Sequence, residues 1–264
     1  MATYLDRILA AHREAAATDP RSLSELVDSA HSAPPPRGFA AALTMRGDDG
    51  LAVIAEIKRR SPSKGDLALG LDPASIGSAY ERGGATCLSV LTDVTFFGGS
   101  PADLAAARAA VGIPVLRKDF TVDLRDVCDA RLMGADAVLL IVAALDDGEL
   151  TSMHALALEL GLDVLVEVHD ERELERAIAT GATLIGVNQR DLVSFEVDTD
   201  RAVRVAKAMP KGIASVAESG IRGPADLPAL VDAGFDAVLV GESVVTSGDP
   251  AASVAALRAV RSVG

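Results

Sequence analysis

Eight short apolar runs recur along this 264-residue chain, and the segments between them have helical length and pattern. The runs are continuous rather than alternating, which is typical of parallel strands that are covered on both faces. Because strand and helix alternate strictly, the chain is predicted to consist of parallel βαβ units. Eight such units in a chain of this length predict an α/β fold, a (β/α)8 TIM barrel. The predicted strands are residues 51–58, 85–92, 113–119, 135–142, 162–168, 182–188, 212–219 and 235–241.

Capping residues indicate where the helices of these units begin. The candidate helix starts are Asp72, Ser100, Asp123, Asp146, Asp170, Asp198, Gly223 and Asp249. Ahead of the first strand, residues 3–31 carry apolar side chains at helical spacing, and the Pro-rich residues 32–38 follow them. We therefore expect one TIM-barrel domain over residues 1–264. Its first 45 residues form an N-terminal helical extension that packs on the barrel, beside the first strand.

Composition excludes several classes of function. The net charge of −13 opposes nonspecific binding of nucleic acid, whose phosphates would be repelled. No run of about 20 apolar residues occurs, so no membrane span is expected and the chain is interpreted as cytoplasmic. Cys87 and Cys128 lie at apolar positions, which favours buried thiols over a disulfide or a metal pair. The four His residues show no ligand spacing, so no metal site is predicted.

Charged or amide side chains stand at the ends of six of the apolar runs. Burying an unpaired ion costs much free energy, so these groups are expected to form ion pairs or to have a role in function. The carboxyl ends of barrel strands meet at one face, where TIM-barrel active sites lie. The pattern therefore predicts an active site. Its residues are Glu56, Lys58, Lys118, Glu167, Asn188, Arg190, Glu218, Ser219 and Glu242.

Two of these groups suit acid–base chemistry. Apolar surroundings would lower the pKa of Lys118 toward useful values, although the adjacent Asp119 opposes that shift. The same surroundings would raise the pKa of Glu167, so that it could hold a proton near neutral pH. Each group could equally belong to an ion pair. Glu56 and Lys58 lie on the same side of the first strand, where a structural salt bridge is the alternative to a catalytic role.

A phosphate site is predicted after the last two strands. Gly220 follows Ser219 there, and Gly241 precedes Glu242 and Ser243 just before a helix start. A glycine lets the backbone approach an oxyanion, and the exposed N–H groups of a helix start supply donors. The alternative is that these glycines are ordinary turn residues. The loop of residues 61–65, after the first strand, is polar and cationic and could move over a phosphate or carboxylate ligand.

Six motifs occur in a fixed order between about residue 45 and residue 250. In this order they resemble the signatures of indole-3-glycerol phosphate synthase, as does the N-terminal helical segment. The motifs are Glu56-Ile57-Lys58 with Ser61-Pro62-Ser63-Lys64-Gly65, Leu88-Ser89-Val90-Leu91-Thr92 with Phe97-Gly98-Gly99-Ser100, Pro114-Val115-Leu116-Arg117-Lys118-Asp119-Phe120, Val166-Glu167-Val168, Ile185-Gly186-Val187-Asn188-Gln189-Arg190-Asp191-Leu192, and Ala217-Glu218-Ser219-Gly220-Ile221.

The resemblance implies a carboxy-lyase of tryptophan biosynthesis that needs no metal and no organic cofactor. Its substrate would be 1-(2-carboxyphenylamino)-1-deoxyribulose 5-phosphate. Lys118 resembles the general acid, Glu167 the acid–base group and Lys58 a second cationic acid, and which lysine serves which proton transfer stays open. The groups that would orient these residues and the substrate are Glu56, Asn188, Glu218 and Ser219, with Arg190 as an anchor.

The resemblance also assigns the binding groups and implies a monomer. The phosphate would lie at Ser61, Gly220, Gly241, Glu242 and Ser243, and the aryl ring in an apolar slot. The slot residues are Phe97, Phe120, Leu139, Leu165, Leu192 and Val240. Barrel packing is the alternative for each of them, and most of all for Leu139, Leu165 and Val240. Gln189 stands where the family often carries Asn or Ser, with little effect on activity expected.

Two other readings stay open at this point. One is another phosphate-binding barrel enzyme, either a phosphoribosyl isomerase or an aldolase that forms a Schiff base at Lys118. The other is a non-catalytic barrel that binds a phosphorylated metabolite or holds partner enzymes. An isomerase of this type would need a Cys or Asp pair at the acid–base positions, where this chain has Lys and Glu. A binding protein would not require Lys58, Lys118 and Glu167 together.

Overall fold

The computed structural model describes residues 3–45, 50–61 and 64–261. Every predicted strand is present, within a few residues of its predicted bounds. The barrel strands are β1 (Ala52–Ile57), β2 (Cys87–Leu91), β3 (Val115–Lys118), β4 (Ala137–Ile141), β5 (Asp163–Val168), β6 (Leu184–Asn188), β7 (Ala214–Glu218) and β8 (Ala237–Val240). All neighbouring pairs are parallel, and β1 pairs with both β2 and β8, which closes the barrel. The predicted TIM barrel is confirmed.

Twelve α-helices surround or precede the strands in the described part of the chain. They are α1 (Tyr4–Ala17), α2 (Leu23–His31), α3 (Phe39–Thr44), α4 (Pro73–Arg82), α5 (Pro101–Ala110), α6 (Leu124–Leu132), α7 (Asp147–Glu159), α8 (Glu171–Ala179), α9 (Arg201–Ala206), α10 (Pro228–Asp232), α11 (Glu242–Val245) and α12 (Pro250–Arg258). None of these helices is long and apolar enough to cross a membrane.

Most of the predicted helix starts are confirmed by side chains that accept a first-turn backbone N–H, as capping requires. These caps are Asp72, Ser100, Asp123, Asp146, Asp170 and Asp249. The start predicted at Asp198 is wrong, because α9 begins only after Asp200. After Gly223 the chain makes a 3-10 turn, Pro224–Asp226, before α10 begins.

The N-terminal extension wraps the barrel from its carboxyl-end face to its amino-end face. At the carboxyl-end face, the Tyr4 ring of α1 packs edge-on against Phe96 and Phe195, with ring centroids 5.8 and 5.5 Å away. Helix α2 packs on α6. In the extension, α1 thus contacts the loops at the strand ends, and α2 contacts α6.

A helix that the sequence did not reveal, α3, covers the amino-end face. Phe39 and Leu43 of α3 are completely buried. The Ala40 N–H donates to the carboxylate of Asp163 at the start of β5, at 2.9 Å. The linker before α3 is fixed in a similar way, because the Arg37 N–H donates to Asp136 at 2.8 Å. Aspartates at the amino ends of the strands thus hold the extension, and the opposite face is left for the site.

The loop after β1 begins with a small hairpin. Arg60–Ser61 pairs antiparallel with Gly65–Asp66, which the sequence did not predict. The central residues of the loop motif, Pro62 and Ser63, lie outside the described residues. Cys87 and Cys128 are free, buried thiols, as predicted.

Candidate active site

A cavity of about 810 Å³ opens at the carboxyl ends of the strands. The structure brings to its wall the predicted catalytic and orienting residues, the predicted phosphate residues, and five of the six predicted slot residues. They are Glu56, Lys58, Ser61, Phe97, Lys118, Phe120, Leu139, Glu167, Asn188, Arg190, Leu192, Glu218, Ser219, Gly220, Val240, Gly241, Glu242 and Ser243. The parallel register explains this convergence: Lys118 ends β3, Asn188 ends β6 and Glu218 ends β7, so strands far apart in sequence deliver their last side chains to one face.

Lys118 lies at the centre of the polar wall. Its ammonium is 2.9 Å from Glu167 Oε2 and 3.3 Å from Glu218 Oε2. Burial alone would lower the pKa of Lys118, but the carboxylates of Glu167, Glu218 and Glu56 outweigh burial and raise it. The sequence-based expectation of a lowered pKa is therefore wrong. Lys118 carries its proton at neutral pH and can give it to an oxygen that gains negative charge.

The two glutamates beside Lys118 differ in protonation. Burial favours the neutral form of Glu167, but Lys118, His169 and the Asn188 amide outweigh burial and lower its pKa. The Asn188 amide donates to Glu167 Oε1 at 3.0 Å. The prediction of a raised pKa for Glu167 is therefore wrong.

The carboxyl group whose pKa is raised is that of Glu218. Burial, together with repulsion from Glu167 and Glu56, raises the pKa of Glu218 to about 8 against the pull of Lys118. Its Oε1 is buried and has no hydrogen-bond partner among the described residues. The site thus pairs an ionised Glu167 with a protonated Glu218 at neutral pH, which is the division of labour that one base and one acid require.

Glu56 and Lys58 form the ion pair that strand alternation allowed. Lys58 Nζ lies 2.6 Å from Glu56 Oε1, and both side chains face the cavity. Gly241 passes directly over this carboxylate: a methyl group at Gly241 would lie 2.5 Å from Glu56 Oε1. Lys58 can therefore form the salt bridge and still belong to the site. It is a second ammonium group in the cavity wall, in addition to that of Lys118.

The predicted phosphate residues line the other end of the cavity. Ser219 and Gly220 both have left-handed backbone conformations, with φ of 64° and 75°. A methyl group at Gly220 would lie 2.7 Å from Val197, so the turn needs glycine. Gly241 precedes α11, whose first N–H groups belong to Glu242 and Ser243 and have no partner within the helix. The Ser243 hydroxyl donates to the Ile221 carbonyl at 3.1 Å and joins the two loops.

Gln189 supports the turn from below. Its side-chain amide donates to the Ser219 carbonyl at 2.8 Å, and the residue is buried. A longer side chain than Asn is therefore used to reach the backbone of the glycine turn. Next to it, Arg190 donates from its backbone N–H to the Asn188 side chain and from its guanidinium to the Phe195 carbonyl, both at 3.0 Å.

An apolar surface faces the polar wall. The rings of Phe97 and Phe120 lie 6.2 Å apart with an interplanar angle of 35°. Leu139, Leu192 and Val240 also reach the cavity, whereas Leu165 is fully buried and does not line it. For Leu165 the barrel-packing alternative is therefore the observed one.

With the geometry established, comparison with known proteins decides the family. The family model described as "Indole-3-glycerol phosphate synthase" matches residues 5–257. The chain belongs to the indole-3-glycerol phosphate synthase family.

Curated relatives in this synthase family cover nearly the full length. Indole-3-glycerol phosphate synthases of Mycobacterium avium (strain 104) and Mycobacterium tuberculosis (strain ATCC 25618 / H37Rv) are each 52% identical over 258 residues. Each alignment covers 97% of this chain and 94% of the relative.

Two solved structures with little sequence similarity share the fold alone. A thiamine phosphate pyrophosphorylase from Pyrococcus furiosus has a TM-score of 0.59 at 17% identity, covering 80% of this chain and 95% of that one. An N-acetylmannosamine-6-phosphate 2-epimerase from Clostridium perfringens has a TM-score of 0.58 at 13% identity, covering 73% and 86%.

Several groups in this synthase-family cavity were missed from the sequence. Some apolar wall residues that end strands or follow them were not predicted as site residues. They are Leu91, Ile141, Phe195 and Leu239. Their position at strand ends was a usable signal, since every strand of the barrel delivers its last side chains to this face.

A second missed feature joins the N-terminal extension to the apolar wall. His12 of α1 lies 3.0 Å from Asp93 and 3.8 Å from Asp119. The carboxylates are also held by the backbone: Asp93 accepts the N–H groups of Phe96 and Phe97, and Asp119 accepts that of Phe120. The three side chains are near enough to share a metal ion, but their atoms are already engaged in hydrogen bonds. We interpret the cluster as a structural link between α1 and the two cavity phenylalanines.

Proposed function

We propose that this cavity closes the indole ring of 1-(2-carboxyphenylamino)-1-deoxyribulose 5-phosphate and releases carbon dioxide and water, giving indole-3-glycerol phosphate. The observation that carries the proposal is the position of Lys118 between Glu167 and Glu218, with an apolar wall on one side and the glycine turns on the other. Family membership supports the same activity, since the matching relatives bear the synthase name.

The ends of the cavity suit the ends of this substrate. An aryl ring would lie against Phe97 and Phe120, out of water and over the ketose carbon that it attacks. The phosphate would lie at the backbone of Gly220, Gly241 and α11, near Ser61, where N–H groups and glycine turns admit an oxyanion.

The protonation states suit the steps. As the ring carbon that bears the carboxylate attacks the carbonyl carbon, the carbonyl oxygen gains charge and takes the proton of Lys118. Loss of carbon dioxide then restores the aromatic ring. Removal of water needs a base for the carbon-bound proton and an acid for the departing hydroxyl. Ionised Glu167 serves as the base, and the acid is drawn from protonated Glu218, Lys58 and Lys118.

Turnover by purified protein tests the proposal directly. With the carboxyphenylamino-deoxyribulose phosphate and EDTA present, indole fluorescence should rise with release of one carbon dioxide per indole. Turnover without indole, or trapping of Lys118 by borohydride, would instead support an isomerase or a Schiff-base aldolase. Binding of the substrate without any conversion would support the non-catalytic barrel.

We further propose that residues 1–264 act as one domain, as a monomer and in the cytoplasm. The net charge of −13 supports the monomer, because like-charged surfaces repel one another. Light scattering at working concentration should give a mass near 27.1 kDa.

A further inference from the structure

The side chain of His169 stands behind the carboxylate of Glu167, on the face away from Lys118. Its Nε2 is 3.6 Å from Glu167 Oε1, whereas Lys118 approaches Oε2. Only 12% of the imidazole is exposed, and Nε2 is buried without a hydrogen-bond partner among the described residues. A small rotation of the ring would bring Nε2 within hydrogen-bond distance of Glu167.

The other side of the ring is held by Glu173 of α8. Glu173 Oε2 lies 3.0 Å from His169 Nδ1 and accepts the backbone N–H of His169 at 2.8 Å. A carboxylate oxygen can only accept, so Nδ1 carries a hydrogen. In a neutral ring the Nε2 lone pair would then point at the oxygen of Glu167, which is unfavourable. The doubly protonated ring suits both carboxylates.

We propose that His169 and Glu173 position Glu167 through an imidazolium, so that the step in which Glu167 acts as the base requires the proton on His169. This proposal rests on the proposed function. His169 is a positioning residue that acts through Glu167, while Asn188 orients the same oxygen from the neighbouring strand.

The charges around the ring support this assignment. Burial alone would lower the pKa of His169, but Glu173 and Glu167 outweigh burial and raise it. Arg201 of α9 acts in the opposite direction. Beyond Glu167 lie Lys118 and then Glu218. When the ring loses its proton at high pH, Glu167 loses a partner and an oriented position.

Two measurements on the same variants test the proposal. Histidine NMR resolves the titration of His169 without substrate, because the chain has only four His residues. Glu173→Gln keeps an acceptor for the backbone N–H and removes the charge. The substitution should lower the titration midpoint of His169 by about one pH unit. It should lower by the same amount the pH at which kcat falls to half on the alkaline side. Glu171→Gln and Glu175→Gln are matched controls on exposed positions of α8 and should move neither.

His169→Gln supplies the second variant. Its kcat should fall about tenfold with KM nearly unchanged, since His169 is not among the residues that line the cavity. The proposal is overturned if Glu173→Gln moves the NMR midpoint but not the alkaline limb, or if His169→Gln keeps the wild-type kcat and pH profile. Absence of turnover by the wild type would contradict the proposed function, whereas the histidine titration alone would still show whether the imidazolium exists.

Discussion

The Lys118 ammonium lies 2.9 Å from Glu167 Oε2, at the centre of the carboxyl-end cavity. This contact makes the lysine a protonated acid and the glutamate an ionised base, so each partner holds the other in the form that ring closure uses. Glu218, on the other side of the ammonium, keeps its proton instead.

Gly186→Ala should disable the site without unfolding the barrel. A methyl group at Gly186 would clash with Glu218 Oε1, the mobile end of a side chain, so the carboxyl must move. Displacement of a catalytic group by about 1 Å can cost on the order of 100-fold in rate, and we expect that loss in kcat. Steady-state kinetics and thermal melting measure both effects. Gly248→Ala, where no atom lies within 4 Å, is the control, and equal activity of the two variants would contradict the prediction.

Glu218→Gln should change how stability depends on pH. The folded state raises the pKa of Glu218 above its ordinary 4.5, so the folded protein holds a proton that the unfolded chain has lost. The stability that this proton contributes is fully present below about 4.5 and falls as pH rises through the folded pKa. The Glu218→Gln variant has no carboxyl group at this position, so it lacks this pH-dependent contribution to stability. Urea unfolding at pH 5 and pH 8 should therefore show a wild type that loses more stability than Glu218→Gln, and parallel losses would contradict the assignment.

His12→Gln should weaken the attachment of α1 most at low pH. Burial alone would lower the pKa of His12. The nearby carboxylates outweigh burial and raise this pKa; they are Asp93, Asp119 and Asp126. The stabilisation is fully present below the ordinary value of 6.5 and is lost as pH rises through the folded pKa. A charged hydrogen bond of this kind contributes about 1.5–3 kcal/mol. The free energy of unfolding should therefore drop by about that amount at pH 6 and by less at pH 9. The exposed His31→Gln is the control, and a pH-independent loss would contradict this account.

Gln189→Ala should weaken phosphate binding more than chemistry. The substitution removes the side-chain hydrogen bond to the part-buried Ser219 carbonyl, in a turn whose backbone is already left-handed. We expect KM for the substrate to rise about tenfold, equivalent to about 1.4 kcal/mol, with kcat changed less. Competition by inorganic phosphate should weaken in parallel. A fall in kcat at constant KM would show instead that Gln189 acts on the acid–base groups.

The fold was predictable, and so were the residues that line the cavity, because both depend on local sequence. Continuous apolar runs such as Val53 and Ile54, fully buried, identify strands, and residues such as Asp123 identify helix starts. Once the strands are known, barrel closure alone brings Lys118, Asn188 and Glu218 together.

The protonation order was not predictable, because it depends on distances between strands. Burial was expected to lower the pKa of Lys118 and raise that of Glu167, and both expectations failed once partners were within 3.5 Å. The same is true of His12 and His169, which look isolated in the sequence. Their carboxylate partners are Asp93, 81 residues away, and Glu173, one helical turn away.

The rate of indole formation by Lys118→Ala, at saturating substrate and beside the wild type, tests the central claim most directly. We predict that kcat falls by about a thousandfold or more, because no other group can protonate the carbonyl oxygen from that position. Lys211→Ala, which removes an exposed lysine, should keep the wild-type rate. A folded Lys118→Ala protein that retains kcat within tenfold of the wild type would contradict the account.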